Sequence, residues 1–169
     1  ILNGSWKTYD IKTDGSSGYW VATNSGLRHF NSALQNDATY NFGKSNMGIT
    51  AIAKDIEQNC LWLGTWNDGL IQFNLTTKTY KYFKQQSNGL TTVSSHRILR
   101  LLLDSKGSLW IGTWGSGLNR FNRKTEQFET THLNVPGIFT NDNQIILTIQ
   151  EDPSGLLWIG TDGAGVFKL

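Results

Sequence analysis

Sulfur and proline are scarce in this chain of 169 residues, which has one cysteine, one methionine and two prolines. Cys60 stands alone, so an internal disulfide is excluded, and its place beside Leu61 and Trp62 predicts a small buried hydrophobe. Charge is thin as well: 17% of residues carry it, 15 Lys and Arg against 13 Asp and Glu, with no basic run. That balance removes the electrostatic case for nucleic acid or an anionic membrane as a partner. No apolar run approaches the length of a membrane span, and no secretory signal peptide is present. The chain opens on Ile1 and so reads as a mature or excised piece, in which a missing signal says nothing about compartment. Three histidines and one cysteine at unrelated spacings give no metal-ligand pattern, and no motif calls for a cofactor.

Aromatic residues and glycine are abundant instead, with seven Trp, eight Phe, five Tyr and 18 Gly. They recur in one phrase. LWIGTWGSGLNRF, Leu109 to Phe121, returns as LWLGTWNDGLIQF from Leu61, as LWIGTDGAGVFKL from Leu157, and in weakened form as YWVATNSGLRHF from Tyr19. The leading tryptophans are Trp20, Trp62, Trp110 and Trp158, at intervals of 42, 48 and 48 residues. A period in the forties points to propeller blades or to helical arrays, and the segments between tryptophans decide.

Those segments read as strands. Leu-Trp-Ile-Gly-Thr is a short β-branched and aromatic run, a small turn follows, and Leu-Asn-Arg-Phe alternates apolar with polar. Gly26, Gly69, Gly117 and Gly165 stand just before the second strand, where a positive φ is expected. Asp104 and Asp152, with Gly107 and Gly155 three residues on, are predicted turn formers whose side chains accept backbone N–H bonds; Asp14 and Asp55 open looser versions. Three and six residues before each aspartate stand Ile11 and Thr8, Ile52 and Ile49, Leu101 and Ile98, Ile149 and Ile146, which predict first strands, the runs ILRLLLD and IILTIQED being dense enough for strands buried on both faces. A fourth strand is predicted around Tyr40, around Tyr80 and Tyr82, and around Phe128. Four antiparallel strands per repeat of forty-odd residues is a β-propeller blade, so the chain is all-β, with repeats near 3–44, 45–92, 93–141 and 142–169. The last repeat ends after its third strand. Such a row is either part of a larger ring or a four-bladed ring in which Ile1 to Ser5 supply the missing strand.

The pattern resembles the two-component regulator propeller family, whose repeat runs Asn-x-Val-x-x-Ile-x-x-Asp-x-x-Gly-x-Leu-Trp-Ile-Gly-Thr followed by Gly-Leu. Asp104 to Leu118 and Asp152 to Val166 are close matches, and the four copies cover essentially the whole chain. The resemblance implies an extracytoplasmic, periplasmic sensor region of a bacterial hybrid histidine kinase of Bacteroidetes type. It also implies an oligosaccharide ligand, about seven blades per ring, and as partners the remaining blades and the linked kinase; the uncovered ends of a partial ring also suit a second copy in a homodimer.

In a blade with strand A innermost, the BC turns and DA loops share one face, and the turn aspartates lie on the other. Asn24, Trp66, Trp114 and Asp162 follow the Gly-Thr or Ala-Thr pair on that first face and vary while their neighbours repeat, which makes them candidate ligand residues. Eight residues before the turn aspartates, where the family repeat has Asn, stand Trp6, Met47, His96 and Gln144, predicted as a second ring at the channel mouth. Arg97, Asn67, Asp68 and Asn143 adjoin the two rings. Trp66 and Trp114 suit stacking on a sugar or, alternatively, packing between blades; His96 and Arg97 suit an anionic group. The repeated tryptophans are predicted to be core. Asp68 and Asp162 come from non-adjacent blades and form no converging carboxylate pair, so a catalytic constellation is not expected. The classes that remain are a sensory ligand-binding module and a protein-interaction scaffold.

Overall fold

The computed structural model describes residues 5–83, 93–131, 133 and 144–169. Every regular element in it is a strand, as the period-two alternation and closely spaced turns require. The first sheet comprises β1 (Thr8–Thr13), β2 (Tyr19–Thr23), β3 (Gly26–Phe30) and β4 (Asn36–Tyr40). The second comprises β5 (Ile49–Asp55), β6 (Cys60–Thr65), β7 (Leu70–Asn74) and β8 (Tyr80–Phe83). The third holds β9 (Ile98–Leu103), β10 (Leu109–Thr113), β11 (Leu118–Asn122) and β12 (Gln127–Thr131). The fourth holds β13 (Ile146–Glu151), β14 (Leu157–Thr161) and β15 (Val166–Lys168). Within each sheet the strands lie in sequence order and pair antiparallel.

The A strands succeed one another around an axis: β1 packs on β5, β5 on β9 and β9 on β13. Among the described residues no comparable contact brings β13 back to β1, so the row of blades stays open and the four-bladed ring is not formed. Ile1 to Gly4, most of the segment invoked to close such a ring, lie outside the described residues.

Three cores fill the three joints. Trp20, Ile52, Leu63 and Phe73 belong to the first, Trp62, Ile98, Ile111 and Phe121 to the second, and Leu118, Ile146 and Ile159 to the third. Each repeat tryptophan thus points at the following blade. Trp62 is 1% exposed and its burial contributes about 5 kcal/mol gross, at ~200 Å² and ~25 cal/mol/Å². Trp110 is partly buried against the third core, whereas Trp158, expected in the core, is 42% exposed, because among the described residues no further sheet packs on that side of the fourth. The same reason corrects the expectation for the A strands. β5 is buried on both faces, but β1 and β13 belong to end sheets and are largely open. Cys60 is buried as expected, and burial pushes its thiol up to about 11.

The Gly-Thr pair at the end of each B strand has two separate physical reasons. A Cβ at Gly64 would stand 2.6 Å from Cγ2 of Ile98, and one at Gly112 would stand 2.7 Å from Cγ2 of Ile146; each glycine is a notch that receives the next A strand. The threonine hydroxyl then closes the BC turn. Thr65 Oγ1 donates to the Gly69 carbonyl and Thr113 Oγ1 to the Gly117 carbonyl, both at 2.8 Å. At Gly69 and Gly117 φ is +75° and +69°, the left-handed backbone predicted there.

The turn aspartates are turn formers, and they have a second task that the sequence did not reveal. Asp104 Oδ1 accepts the N–H groups of Lys106 and Ser108, and Asp152 Oδ1 those of Ser154 and Leu156. Oδ2 accepts the indole N–H of the repeat tryptophan: Trp110 to Asp104 at 2.8 Å, Trp158 to Asp152 at 2.8 Å, and Trp62 to Asp55 at 3.1 Å. In the first blade His29 takes the indole's place, its Nε2 lying 3.2 Å from Asp14 Oδ2 and its Nδ1 2.7 Å from Asp37 Oδ1.

Burial alone would raise the pKa of Asp14, but the Ser16 and Gly18 N–H groups, the Ser16 hydroxyl and His29 outweigh it and bring it from 3.8 to about 2. The depressed value means that this carboxylate stabilises the fold above its unfolded pKa, and that the contribution is lost as pH falls from 3.8 towards about 2. Asp152, held well below the usual carboxylate range by Ser154 and Trp158, acts in the same direction. Melting curves across this window should therefore show a falling midpoint in the wild type and a smaller fall in Asp14→Asn. Equal slopes for the two proteins would rule out this role for Asp14.

Candidate functional site

The BC turns and DA loops meet on one face, as the blade phase requires. The residue after each Gly-Thr or Ala-Thr pair donates its backbone N–H across to the segment entering the same blade. Asn24 bonds to Lys7, Trp66 to Gly48, Trp114 to Arg97 and Asp162 to Ile145, all at 2.9–3.0 Å. These bonds fix the four backbones, so that the variable side chains project from a rigid rim.

Two of those side chains meet. The rings of Trp66 and Trp114 lie 5.7 Å apart, centroid to centroid, with their planes inclined at 62°, although 48 residues separate them. They are 40% and 41% exposed. Neither is packed away between blades. Each leaves part of its surface to solvent, so together they form an aromatic corner across the second joint.

His96 and Arg97 form the floor between the two turns. The His96 carbonyl accepts the Gly69 N–H at 3.1 Å, on the Trp66 side, and the Arg97 carbonyl accepts the Trp114 N–H at 2.9 Å. Both side chains are exposed. Ser95 Oγ accepts the Arg97 N–H at 3.1 Å. Asn119, fully buried in β11, holds the start of the same loop: its Oδ1 accepts the Ser94 N–H at 3.1 Å and its Nδ2 donates to Ser94 Oγ at 2.7 Å. Asn119 was missed from sequence, although an amide at a buried position between Leu118 and Phe121 is a signal that a polar partner must arrive from elsewhere.

The other candidates go elsewhere. Gln144 is 1% exposed, and so is not offered at the channel mouth. Its Nε2 donates to the Leu133 carbonyl at 3.1 Å, and its backbone carbonyl accepts the N–H groups of Gly115 and Gly117, which makes it a strut for the third blade's BC turn. Met47, also 1% exposed, fills the first core. The eighth position before the aspartate therefore serves packing in two copies and exposes its side chain fully only at His96; Trp6, half-buried, lies against Phe30 and Arg28. Asn24 Oδ1 accepts the Lys7 N–H at 2.8 Å. Asp68 pairs with Lys44, which neutralises it. Asp162 is exposed on the fourth blade's turn, and Asn143 and His132 lie outside the described residues.

Among the described residues no group of three or more His, Cys, Asp or Glu side chains could hold a metal ion, and no helix is long and apolar enough to cross a membrane. The groups brought together are two indoles, on turns to which the His96 and Arg97 backbone carbonyls are bonded. Such a set can stack on a ring and hydrogen-bond to it, and it contains neither a paired acid and base nor an activated nucleophile.

The open row of four-stranded antiparallel sheets defines the chain as a β-propeller segment. Residues 92–115 and 141–163 match the model of the family described as two component regulator propeller. The extracellular domain of a protein described as the hybrid two component system BT3049 of B. thetaiotaomicron superposes with a TM-score of 0.74 at 20% identity. The match covers 96% of this chain and 23% of that one. The extracellular domain of BT4673 from the same organism gives 0.70 at 24% identity, over 95% of this chain and 21% of the other. Virginiamycin B lyase from Staphylococcus aureus gives 0.72 at 11% identity, over 100% and 57%. At these identities the likeness is one of fold, and the chain spans about a fifth of the two B. thetaiotaomicron domains. No curated protein matches.

Proposed function

We propose that this chain is a ligand-reading segment of the extracytoplasmic sensor region of a hybrid two-component system, and that it binds an oligosaccharide on its upper face. The observation that carries the reading is the exposed Trp66 and Trp114 corner, fixed by backbone bonds and bridging two blades. An indole offers an apolar face to the C–H side of a sugar ring and an N–H donor to its hydroxyls. A ligand held by both rings contacts two blades at once. It shifts an arrangement of blades, or of two copies of the chain, only as far as its affinities for the two arrangements differ, and a linked kinase would respond to that difference. The family repeats and the likeness to extracellular domains support the setting, including a periplasmic location.

A protein-interaction scaffold is the competing reading. It needs a broad apolar upper surface, whereas the large apolar side chains of the described BC turns are these two tryptophans, and Tyr9, Ile11, Trp158 and Val166 stand on the two end sheets. A catalytic reading, open to propellers in general, finds no acid–base pair in this corner among the described residues.

Titration of intrinsic tryptophan fluorescence against neutral, carboxylated and sulfated oligosaccharides tests the proposal. One class should saturate the signal, and Trp114→Ala should weaken its binding about 10-fold or more, in line with loss of an aromatic anchor. The unliganded melting temperature of the variant should stay close to that of the wild type, because the ring is only partly buried. Saturable binding that Trp66→Ala and Trp114→Ala both leave unchanged would move the site elsewhere.

A further inference from the structure

Among the described residues the charges around the aromatic corner do not cancel, and this carries the ligand assignment one step further; the step rests on the stacking site proposed above. Asp68, the carboxylate on the Trp66 turn, is already paired with Lys44. Among the described residues the Arg97 guanidinium has no hydrogen-bond or ion-pair partner, and neither has the His96 ring. Both residues lie in the loop stitched to Gly69 on one side and to Trp114 on the other. The remaining candidate carboxylate of this face, Asp162, stands on the fourth blade's turn, beyond the third joint. Among the described residues the loop bonded to the turns of both tryptophans thus carries an exposed, unpaired guanidinium and imidazole, while the carboxylate on the Trp66 turn is paired.

We propose that the ligand of this site is an acidic oligosaccharide, one whose carboxylate or sulfate group is taken by Arg97 while its sugar ring stacks on Trp66 and Trp114. A guanidinium matches such oxyanions with two parallel N–H bonds, which a lysine ammonium cannot reproduce. The bonds at the Arg97 carbonyl and N–H fix its main chain before the ligand arrives, so that only the side chain remains to be ordered on binding. His96 adds a donor at the same edge. Carboxylate and sulfate are the two sources of this chemistry, and matched probes separate them.

The experiment measures binding of the intact chain to three trisaccharides on one backbone: a neutral galactose form, its galacturonate counterpart, and a sulfated galactose form. Wild type, Arg97→Gln, Arg97→Lys and Trp114→Ala are compared at low and high salt. One or both acidic probes should bind about 10-fold or more tightly than the neutral one, a difference typical of charge-assisted hydrogen bonds, and the advantage should shrink with salt. Arg97→Gln should abolish the preference, bringing the acidic probes to the affinity of the neutral one; Arg97→Lys should retain part of it; Trp114→Ala should weaken all three. Equal affinity for neutral and acidic probes, or a preference that survives Arg97→Gln, overturns the acidic assignment and leaves the stacking site standing. Binding of none of the three overturns both.

Discussion

Arg123→Ala should destabilise the fold by about 3–5 kcal/mol, the range for removing one partner of a buried ion pair. The carboxylate it would abandon is fully enclosed: Asp55, 0% exposed, receives Arg123 Nη1, the Trp62 indole N–H at 3.1 Å and the Gln58 N–H at 3.1 Å. Arg123 comes from the turn after β11 and reaches the turn after β5. On the way its Nε donates to the Gly107 carbonyl at 2.7 Å, and its Nη2 reaches Glu57 at 3.1 Å. Burial opposes the charge on Arg123, and the bonds and fields of Asp55 and Glu57 more than offset that, so its pKa lies above the ordinary value. At roughly 2–4 °C per kcal/mol for a domain of this size, the melting midpoint should fall by about 10 °C. The double variant Asp55→Asn with Arg123→Met removes both charges, keeps an acceptor for the indole, and should recover much of the loss. A single variant that melts within about 1 °C of the wild type would show that the pair contributes nothing net.

Gly64→Val should be the second severe change, and for a steric reason. The notch at Gly64 is occupied by the β-branched Ile98 of the next blade, whose Cγ2 and Cβ would lie 2.6 and 3.2 Å from a new Cβ. Ile98 is fully buried and cannot swing aside. Overpacking of this kind costs about 1–3 kcal/mol for a single added carbon, and valine adds three. Shortening the partner, in Gly64→Ala combined with Ile98→Ala, should cost less than the sum of the two single changes. Strict additivity would mean that the notch does not set the spacing of the blades. Ala22, which stands at the equivalent place in the first blade and is fully buried, shows that one methyl can be accommodated when the facing strand allows it.

The strands, their order and the face carrying the BC turns were legible because they repeat. A device that recurs in register, such as Asp with Gly, Trp with Gly-Thr, or Gly with Leu, reports the local rule that produced it. What the repeat could not report was contact between non-equivalent residues. Arg123 and Asp55 are 68 positions apart and the tie occurs once. The approach of Trp66 to Trp114 depends on the pitch between blades, which no single blade encodes. Met47 and Gln144 looked free because they broke the pattern, yet each had departed from it to fill a particular hole. Variation inside a repeat therefore signals either an exposed side chain or a local packing solution. Only the neighbouring blade decides which.

The graded enclosure of the tryptophans makes the molecule its own optical gauge. Trp20 and Trp62 are sealed, Trp110 is half covered, and Trp158 stands on a bare flank with its N–H tied to Asp152. Polar quenchers should reach Trp158 and the aromatic corner first, and a ligand in the corner should shield Trp66 and Trp114 while leaving Trp158 bright to the quencher. Anything that comes to cover the last sheet should do the reverse. Occupancy of the site and covering of the open flank can thus be read separately, in one cuvette, from the same chromophore.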